Sequence, residues 1–235
     1  AAGRSELLYS FIYTGLHTGL RRGELLGLKW EDIDREKLEL TVRNNLVRVK
    51  GQNLDVDPKS KESRRTIDIS SDLREVLDAH YDYQVKHRAL PRLEVTPTSY
   101  VFANELLRPT NPDSISRRFR VLRDAIIRAE PELEFPNKLT IHSLRHTHVS
   151  YILNEPGAGV NTLIAVSERL GHSSVRMTMD TYTHLIPEAE GLGIRFASIM
   201  AGVLSTVCQR NEQLSESKQN TDSVAFRHEL GYPRL

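Results

Sequence analysis

The stretch KLELTVRNNLVRVK, residues 37–50, decides the fold. Upstream of it apolar residues recur every three or four positions; within it they recur every two. Leu38, Leu40 and Val42 share one face of an extended chain, and Val47 and Val49 share a face of a second. Downstream, RRTIDIS (64–70) repeats the alternation with Ile67 and Ile69. Three short antiparallel strands are expected. Asn44 and Asn45 suit the first turn. The stretch 51–63, GQNLDVDPKSKES, is expected as the second connection, with Gly51 and Pro58 as breakers.

Helical spacing surrounds this sheet. Residues 5–34 read as two helices broken near Thr18 and Gly19. Residues 71–90 read as a helix capped by Ser71, with Leu73, Val76, Leu77 and His80 repeating. Residues 91–104 read as a loop with one short strand. Residues 111–130 form a helix with Ile115, Phe119, Leu122 and Ile126 inward and its arginines mostly outward. A helix over 139–155 ends before Pro156 and Gly157. Another, from Val160, stops at Gly171, which can take the left-handed cap. Ser173 or Ser174 then caps a short helix through Tyr182, and an amphipathic helix follows over 192–204. The expected class is α+β, predominantly helical with one small three-stranded antiparallel sheet. Residues 1–204 are expected to form one domain and 205–235 a polar, flexible tail.

Bulk properties exclude several classes. The 235 residues can bury a sizeable core, and the one cysteine, Cys208, rules out an internal disulfide framework and fits a reducing cytoplasm. No apolar run approaches the ~18–20 residues that cross a bilayer. The chain starts AAGRSELLYSF without a Met, so a piece of a longer protein is expected. The net charge of +1 is uninformative, but its distribution is not: residues 35–65 hold nine Lys/Arg against five Asp/Glu, and 108–128 hold six Arg against two Asp. Such patches suit a polyanion, nucleic acid first; ion-paired solvated faces are the plain alternative.

The chemistry-bearing candidates are spread out. His142 and Arg145, at i and i+3, share a helix face. Arg145 offers a planar fork for a phosphate, and His142 can exchange a proton near neutrality. A polar helix face is the plain alternative. His142, His146 and His148 tempt a metal reading, but His148 falls on the stripe of Leu144, Tyr151 and Ile152 and reads as a core histidine. No metal is expected, since no HExxH pattern and no cysteine pair is present. Arg21 sits at a helix break with Glu24 three residues on, able to orient it. Lys59 sits on an exposed connection, His172 follows a helix cap, and Tyr182 lies ten residues later.

In combination, TGLRRGELLGL (18–28), PKSKESRRTI (58–67), HSLRHTH (142–148), LGHSS (170–174) and MDTYTHL (179–185) resemble the catalytic domain of the tyrosine recombinases, the phage integrase family. The text looks most like integrases of conjugative transposons and temperate phages of Gram-positive bacteria. The resemblance implies DNA cleavage and rejoining through a tyrosine linked to a 3′ phosphate, with no cofactor. Arg21, Arg145 and His172 would hold the scissile phosphate. Lys59, or Lys61, would protonate the leaving oxygen. His142 would accept or relay the proton of the nucleophile Tyr182, whose phenolate the cationic pocket would favour. Glu24 would support Arg21. Backbone contacts to double-stranded DNA are expected from Arg43, Arg48, Lys50, Lys61, Arg64, Arg117 and Arg118. The resemblance also implies a tetrameric synapse of the chain with itself, a last helix passed to a neighbour or folded back, and an accessory directionality factor. It implies core- and arm-binding N-terminal domains outside these 235 residues, and a bacterial cytoplasmic location. A type IB topoisomerase-like activity and a catalytically silent DNA-binding relative are the alternatives.

Overall fold

The computed structural model describes residues 2–49, 51–56, 64–87, 90, 92–132, 139–155, 158, 160–172, 174, 176, 178 and 182. Helix α1 (Ala2–Thr18) packs against the helices over Ser71–Lys86 and Ile141–Leu153. Leu7, Leu8, Phe11 and Ile12 are buried on it, and Thr14 and Thr18 donate their hydroxyls back to the carbonyls of Ser10 and Thr14. The chain reverses at Gly19, whose φ of 65° is left-handed. Helix α2 (Arg22–Gly27) follows, then a 3₁₀ turn over Trp30–Asp32. Among the described residues the further helices with assigned bounds are α3 (Ser71–Lys86), α4 (Pro112–Ala129), α5 (Ile141–Leu153) and α6 (Val160–Leu170).

The alternating segments do form strands, but in a different arrangement. A three-stranded antiparallel sheet is ordered β1 (Ile33–Asp34), β2 (Glu39–Val42), β5 (Arg65–Asp68), with Leu40 opposite Ile67. The second predicted strand, β3 (Asn45–Val49), leaves this sheet and pairs with β4 (Gln52–Val56) across a turn at Gly51, φ 83°. The stretch expected as a connection therefore contains a strand. Leu54 and Val56 do alternate there, but the flanking breakers Gly51 and Pro58 make the stretch look like a connection, and the hairpin leaves Val49 and Leu54 exposed. The inward residue of β3 is Leu46, packed near α2, and not Val47 or Val49.

The expectations for α3 to α6 hold with small shifts, but the second helix expected through Asp34 ends at Gly27: Leu28 is extended, Trp30–Asp32 is a 3₁₀ turn, and Ile33–Asp34 is strand β1. Ser70, one residue before the expected cap, accepts the amide of Leu73 at 3.2 Å. In α4, Ile115, Phe119 and Ile126 are buried and Leu122 is partly so. In α5 Leu144 and His148 point inward, but Tyr151 is exposed. Only Arg176, Thr178 and Tyr182 are described from the helix expected after Ser174, each helical. Ser173, the 192–204 helix and the 205–235 tail lie outside the described residues. No helix among the described residues is long and apolar enough to cross a membrane.

Gly19 seats the end of α1 against α5 and α6. A β-carbon there would stand 2.6 Å from the His148 ring and 2.9 Å from Leu170. Gly19→Ala should cost about 2–4 kcal/mol, from left-handed strain plus displacement of a buried ring. Denaturant melts will read this; a loss below about 0.5 kcal/mol would mean that the turn relaxes freely.

Candidate active site

The N-terminus of α2, the middle of α5 and the end of α6 meet at one place. Arg21 is extended at the helix break, and Glu24 bonds it twice: the Arg21 main-chain N–H to Oε2 at 2.8 Å and Nη1 to Oε1 at 2.9 Å. Burial works against the Glu24 carboxylate, but Arg65 and Arg21 together hold its pKa below the usual range. Arg22 points elsewhere, donating to the Ser116 hydroxyl at 2.8 Å and joining α2 to α4.

Arg145 is buried, 2% exposed. Its Nη1 donates to the Gly19 carbonyl and its Nη2 to the Leu170 carbonyl, both at 2.8 Å. Nη2 also donates to His172 Nε2 at 2.8 Å. A guanidinium only donates, so this nitrogen is bare, and His172 carries its proton on Nδ1, which donates to Thr178 at 2.7 Å. Burial and then the guanidiniums of Arg145, Arg21 and Arg65 push His172 down to about 4. Burial, and then Arg21, also lowers Arg145 to about 10, which leaves it a cation at neutral pH.

Tyr182 completes the cluster. It is 2% exposed, packed with Val149, Val166 and Leu170, and its hydroxyl hydrogen-bonds Arg145. Its ring lies 5.4 Å from that of His146, which in turn meets His142 edge-on at 4.7 Å. Burial raises the Tyr182 pKa, while Arg145 and Arg21 lower it, and burial wins. This corrects the expectation of a favoured phenolate: the docked tyrosine is a phenol. His142 is exposed, with its pKa lowered by partial burial and by Arg145 and Arg21, so it is a neutral base at pH 7.

The structure thus brings together Arg21, Glu24, His142, Arg145, His172 and Tyr182. Lys59, Lys61 and Lys50 lie outside the described residues. Arg43 bonds buried Asp32 at 3.2 Å, and Arg48 bonds Asp113 at 2.6 Å and Asn111 at 3.1 Å. Arg64 and Arg117 are exposed, while Arg118 lines a 350 Å³ cavity with Leu7 and His80. His148 is engaged at both nitrogens, donating Nδ1–H to the Leu16 carbonyl at 2.9 Å and accepting from Arg169 Nε at 3.2 Å. It therefore cannot join His142 and His146 around a metal.

Sequence reasoning missed Arg65, which reaches the site from β5. Its Nη1 and Nη2 bond both Glu24 oxygens at 3.3 and 3.0 Å, and its Nε bonds the Arg169 carbonyl at 2.5 Å. The signal was present. The two-residue period that sends Ile67 and Ile69 inward sends Arg65 inward too, and Arg64 outward. Thr178 and Arg169 carried no comparable mark, and His146 stood out only as a possible metal ligand beside His142 and His148.

Three histidines, His80, His148 and His172, are held neutral at about 4 by burial; His80 Nε2–H donates to the Val101 carbonyl at 2.9 Å. Their ordinary value is 6.5, so the unfolded chain binds protons first as pH falls. Stability should be intact above about 6.5 and decline down to about 4, each histidine steepening the slope by at most about 1.4 kcal/mol per pH unit. Urea titrations at pH 7 and pH 5 test this; equal stability at both would contradict it.

Against known families, residues 4–188 match the model of the phage integrase family. This chain belongs to the phage integrase family. Among curated integrases and their relatives, it is 30% identical over 189 residues to the ICEBs1 integrase of Bacillus subtilis, covering 80% of this chain and 48% of that protein. It is 35% identical over 184 residues to a XerC-like tyrosine recombinase of Caldanaerobacter subterraneus, covering 73% and 44%. The chain spans about half the length of these relatives. Among solved structures, the Tn1549 transposon integrase in complex with transposon right end DNA superposes with a TM-score of 0.63 at 23% identity, over 74% of this chain and 53% of that one. XerA recombinase superposes with a TM-score of 0.54 at 21% identity, over 80% and 59%. The integrase fold is therefore the one described above.

Proposed function

We infer that this chain carries the catalytic domain of a site-specific DNA recombinase, the integrase or transposase of a mobile element. It cleaves and rejoins DNA strands through a covalent 3′-phosphotyrosyl intermediate. One observation carries the reading: a tyrosine hydroxyl bonded to a buried arginine, in a pocket shared with Arg21, His172 and a neutral His142. Curated integrases of mobile elements among the relatives support it.

The chemistry follows from charge. A phosphodiester repels nucleophiles, and two guanidiniums on its non-bridging oxygens offset charge as it grows in the transition state. Tyr182 must first exchange its Arg145 bond for the phosphate, because both side chains are covered without DNA. Its oxygen then attacks phosphorus, the bond to the 5′ oxygen breaks, and the phenolic proton passes to His142. Lys59 or Lys61 supplies the proton to the leaving 5′ oxygen. His172, presenting an unprotonated Nε2 to Arg145, keeps that fork oriented. Attack by a 5′ hydroxyl of another strand reverses the step, and the energy held in the phosphotyrosine makes ATP unnecessary. The same reading takes double-stranded DNA as partner, a tetrameric synapse in which 192–204 is passed to a neighbour or folded back, a directionality factor, and a bacterial cytoplasmic location at the nucleoid.

The test needs no known target. A pool of nicked duplexes of random sequence, which lose a short strand after cleavage, is incubated with the chain and denatured in SDS. Adducts resistant to SDS, formed equally with and without EDTA, are expected. Adducts abolished by EDTA, or none from a folded chain, would overturn the reading.

A further inference from the structure

We propose that Arg65 is a positioning residue for strand cleavage: it clamps Glu24 to the end of α6, and the shared carboxylate presents Arg21 to the phosphate. This rests on the recombinase reading above.

Three arginines converge on three successive carbonyls. Arg65 Nε bonds the carbonyl of Arg169, Arg145 Nη2 that of Leu170, and Arg21 Nη2 approaches that of Gly171 at 3.5 Å. These carbonyls close α6, where the helix leaves its last acceptors without partners and concentrates negative potential. Gly171, at φ 63°, turns the chain away so that they stay open to side chains. The end of α6 is thus a plate on which guanidiniums are docked.

The three differ in exposure. The Arg65 side chain is 8% exposed and Glu24 5%, while that of Arg21 is 39% exposed. Arg65 is therefore covered, and Arg21 is the group a phosphate can reach. What Arg65 touches is the carboxylate that holds Arg21 by main chain and side chain. With two guanidiniums on one carboxylate, Glu24 is oriented by a fixed partner and does not close fully over Arg21. Without Arg65, its only direct cation among the described residues is Arg21, which is drawn toward the carboxylate and away from the phosphate. Among the described residues the remaining charge around Glu24 is Arg145 from α5; His172, beyond α6, is neutral above about 4. Arg65 is also the largest influence opposing the desolvation of Glu24, so its loss lets burial raise the carboxyl toward neutrality and protonate it as the medium acidifies.

The experiment uses one duplex recovered from the random pool and measures single-turnover adduct formation from pH 5 to 8.5, with DNA affinity by filter binding. Arg65→Met should slow adduct formation about 100-fold, the scale of a misplaced catalytic group. Affinity should stay within about threefold, because other cations supply backbone binding. The rate should fall off more steeply toward pH 5 than in the parent, because a Glu24 carboxyl that loses Arg65 is protonated at higher pH. Arg65→Lys keeps a charge but not a two-point fork, so it should be about tenfold slow with the acid limb of the parent. Arg65→Met within threefold of the parent, or a slower rate on an unshifted profile, would overturn the proposal. Should Arg65→Met not fold by circular dichroism, Arg65→Lys decides: a parental rate overturns the clamp, and a slowed rate on the parental acid limb supports it. A parent chain that forms no adduct sinks the recombinase reading and this proposal with it. A parent adduct unaffected by Arg65 sinks this proposal alone.

Discussion

Arg145→Ala will slow adduct formation by about 10³–10⁵-fold, the range in which a transition-state arginine acts on phosphoryl chemistry. Its charge lies at the centre of the pocket, and its fork is aimed by the Gly19 and Leu170 carbonyls. Removal also strands the Gly19 carbonyl, the His172 Nε2 and the Tyr182 hydroxyl in a buried place. Stability should therefore fall by about 2–4 kcal/mol. DNA affinity should drop far less, with the salt dependence of binding lowered by about one phosphate contact. Arg145→Lys should recover part of the stability and little of the rate, because one ammonium nitrogen cannot reproduce the four bonds spread over a planar fork. Quenched-flow adduct kinetics beside urea melts separate the two effects. A folded Arg145→Ala chain within tenfold of the parent rate would remove Arg145 from the chemistry.

Tyr182→Phe will form no adduct at any time point. Phenylalanine fills the same space among Val149, Val166 and Leu170, so the docked ring persists. Only the hydroxyl and its bond to Arg145 are lost, about 1 kcal/mol of stability. DNA affinity should remain within about threefold of the parent. This variant therefore separates nucleophile from pocket. Because burial outweighs the arginines in setting the Tyr182 pKa, the parent rate should rise with pH through neutrality as the phenol and its acceptor are released.

Much of this was legible in the chain, for identifiable reasons. Helices α4 and α6 have one apolar stripe each and stood out by period. Gly171 marked its turn because a left-handed residue favours glycine. The pocket residues were found as ordered motifs, each weak by itself. Strand β4 reads as a connection because Gly51 and Pro58 flank it, although Leu54 and Val56 alternate; spacing alone does not say that a segment has a partner. The pairing of β3 was misjudged for the same reason: a strand peptide does not announce its partner, and Asn44 with Asn45 resembled a hairpin turn. Arg65 was overlooked although its parity was readable, since a doublet of arginines before a strand suggests surface charge. Its burial depends on Glu24, 41 positions earlier, and on a carbonyl 104 positions later. Such long-range closure is a property of packing, not of local pattern. The docked phenol was likewise misjudged, because the balance between burial and cationic neighbours depends on how tightly Tyr182 packs.

If the pocket cleaves DNA as proposed, Tyr182 becomes bonded to the 3′ phosphate of the cut strand. Adducts from the nicked-duplex pool should be digested with nuclease and protease and the peptides sequenced by mass spectrometry. The expected product is a nucleotide remnant on Tyr182, attached through a 3′ phosphate, with a free 5′ hydroxyl on the other DNA end. A remnant on any other side chain, or a 5′-phosphate linkage, would contradict this chemistry.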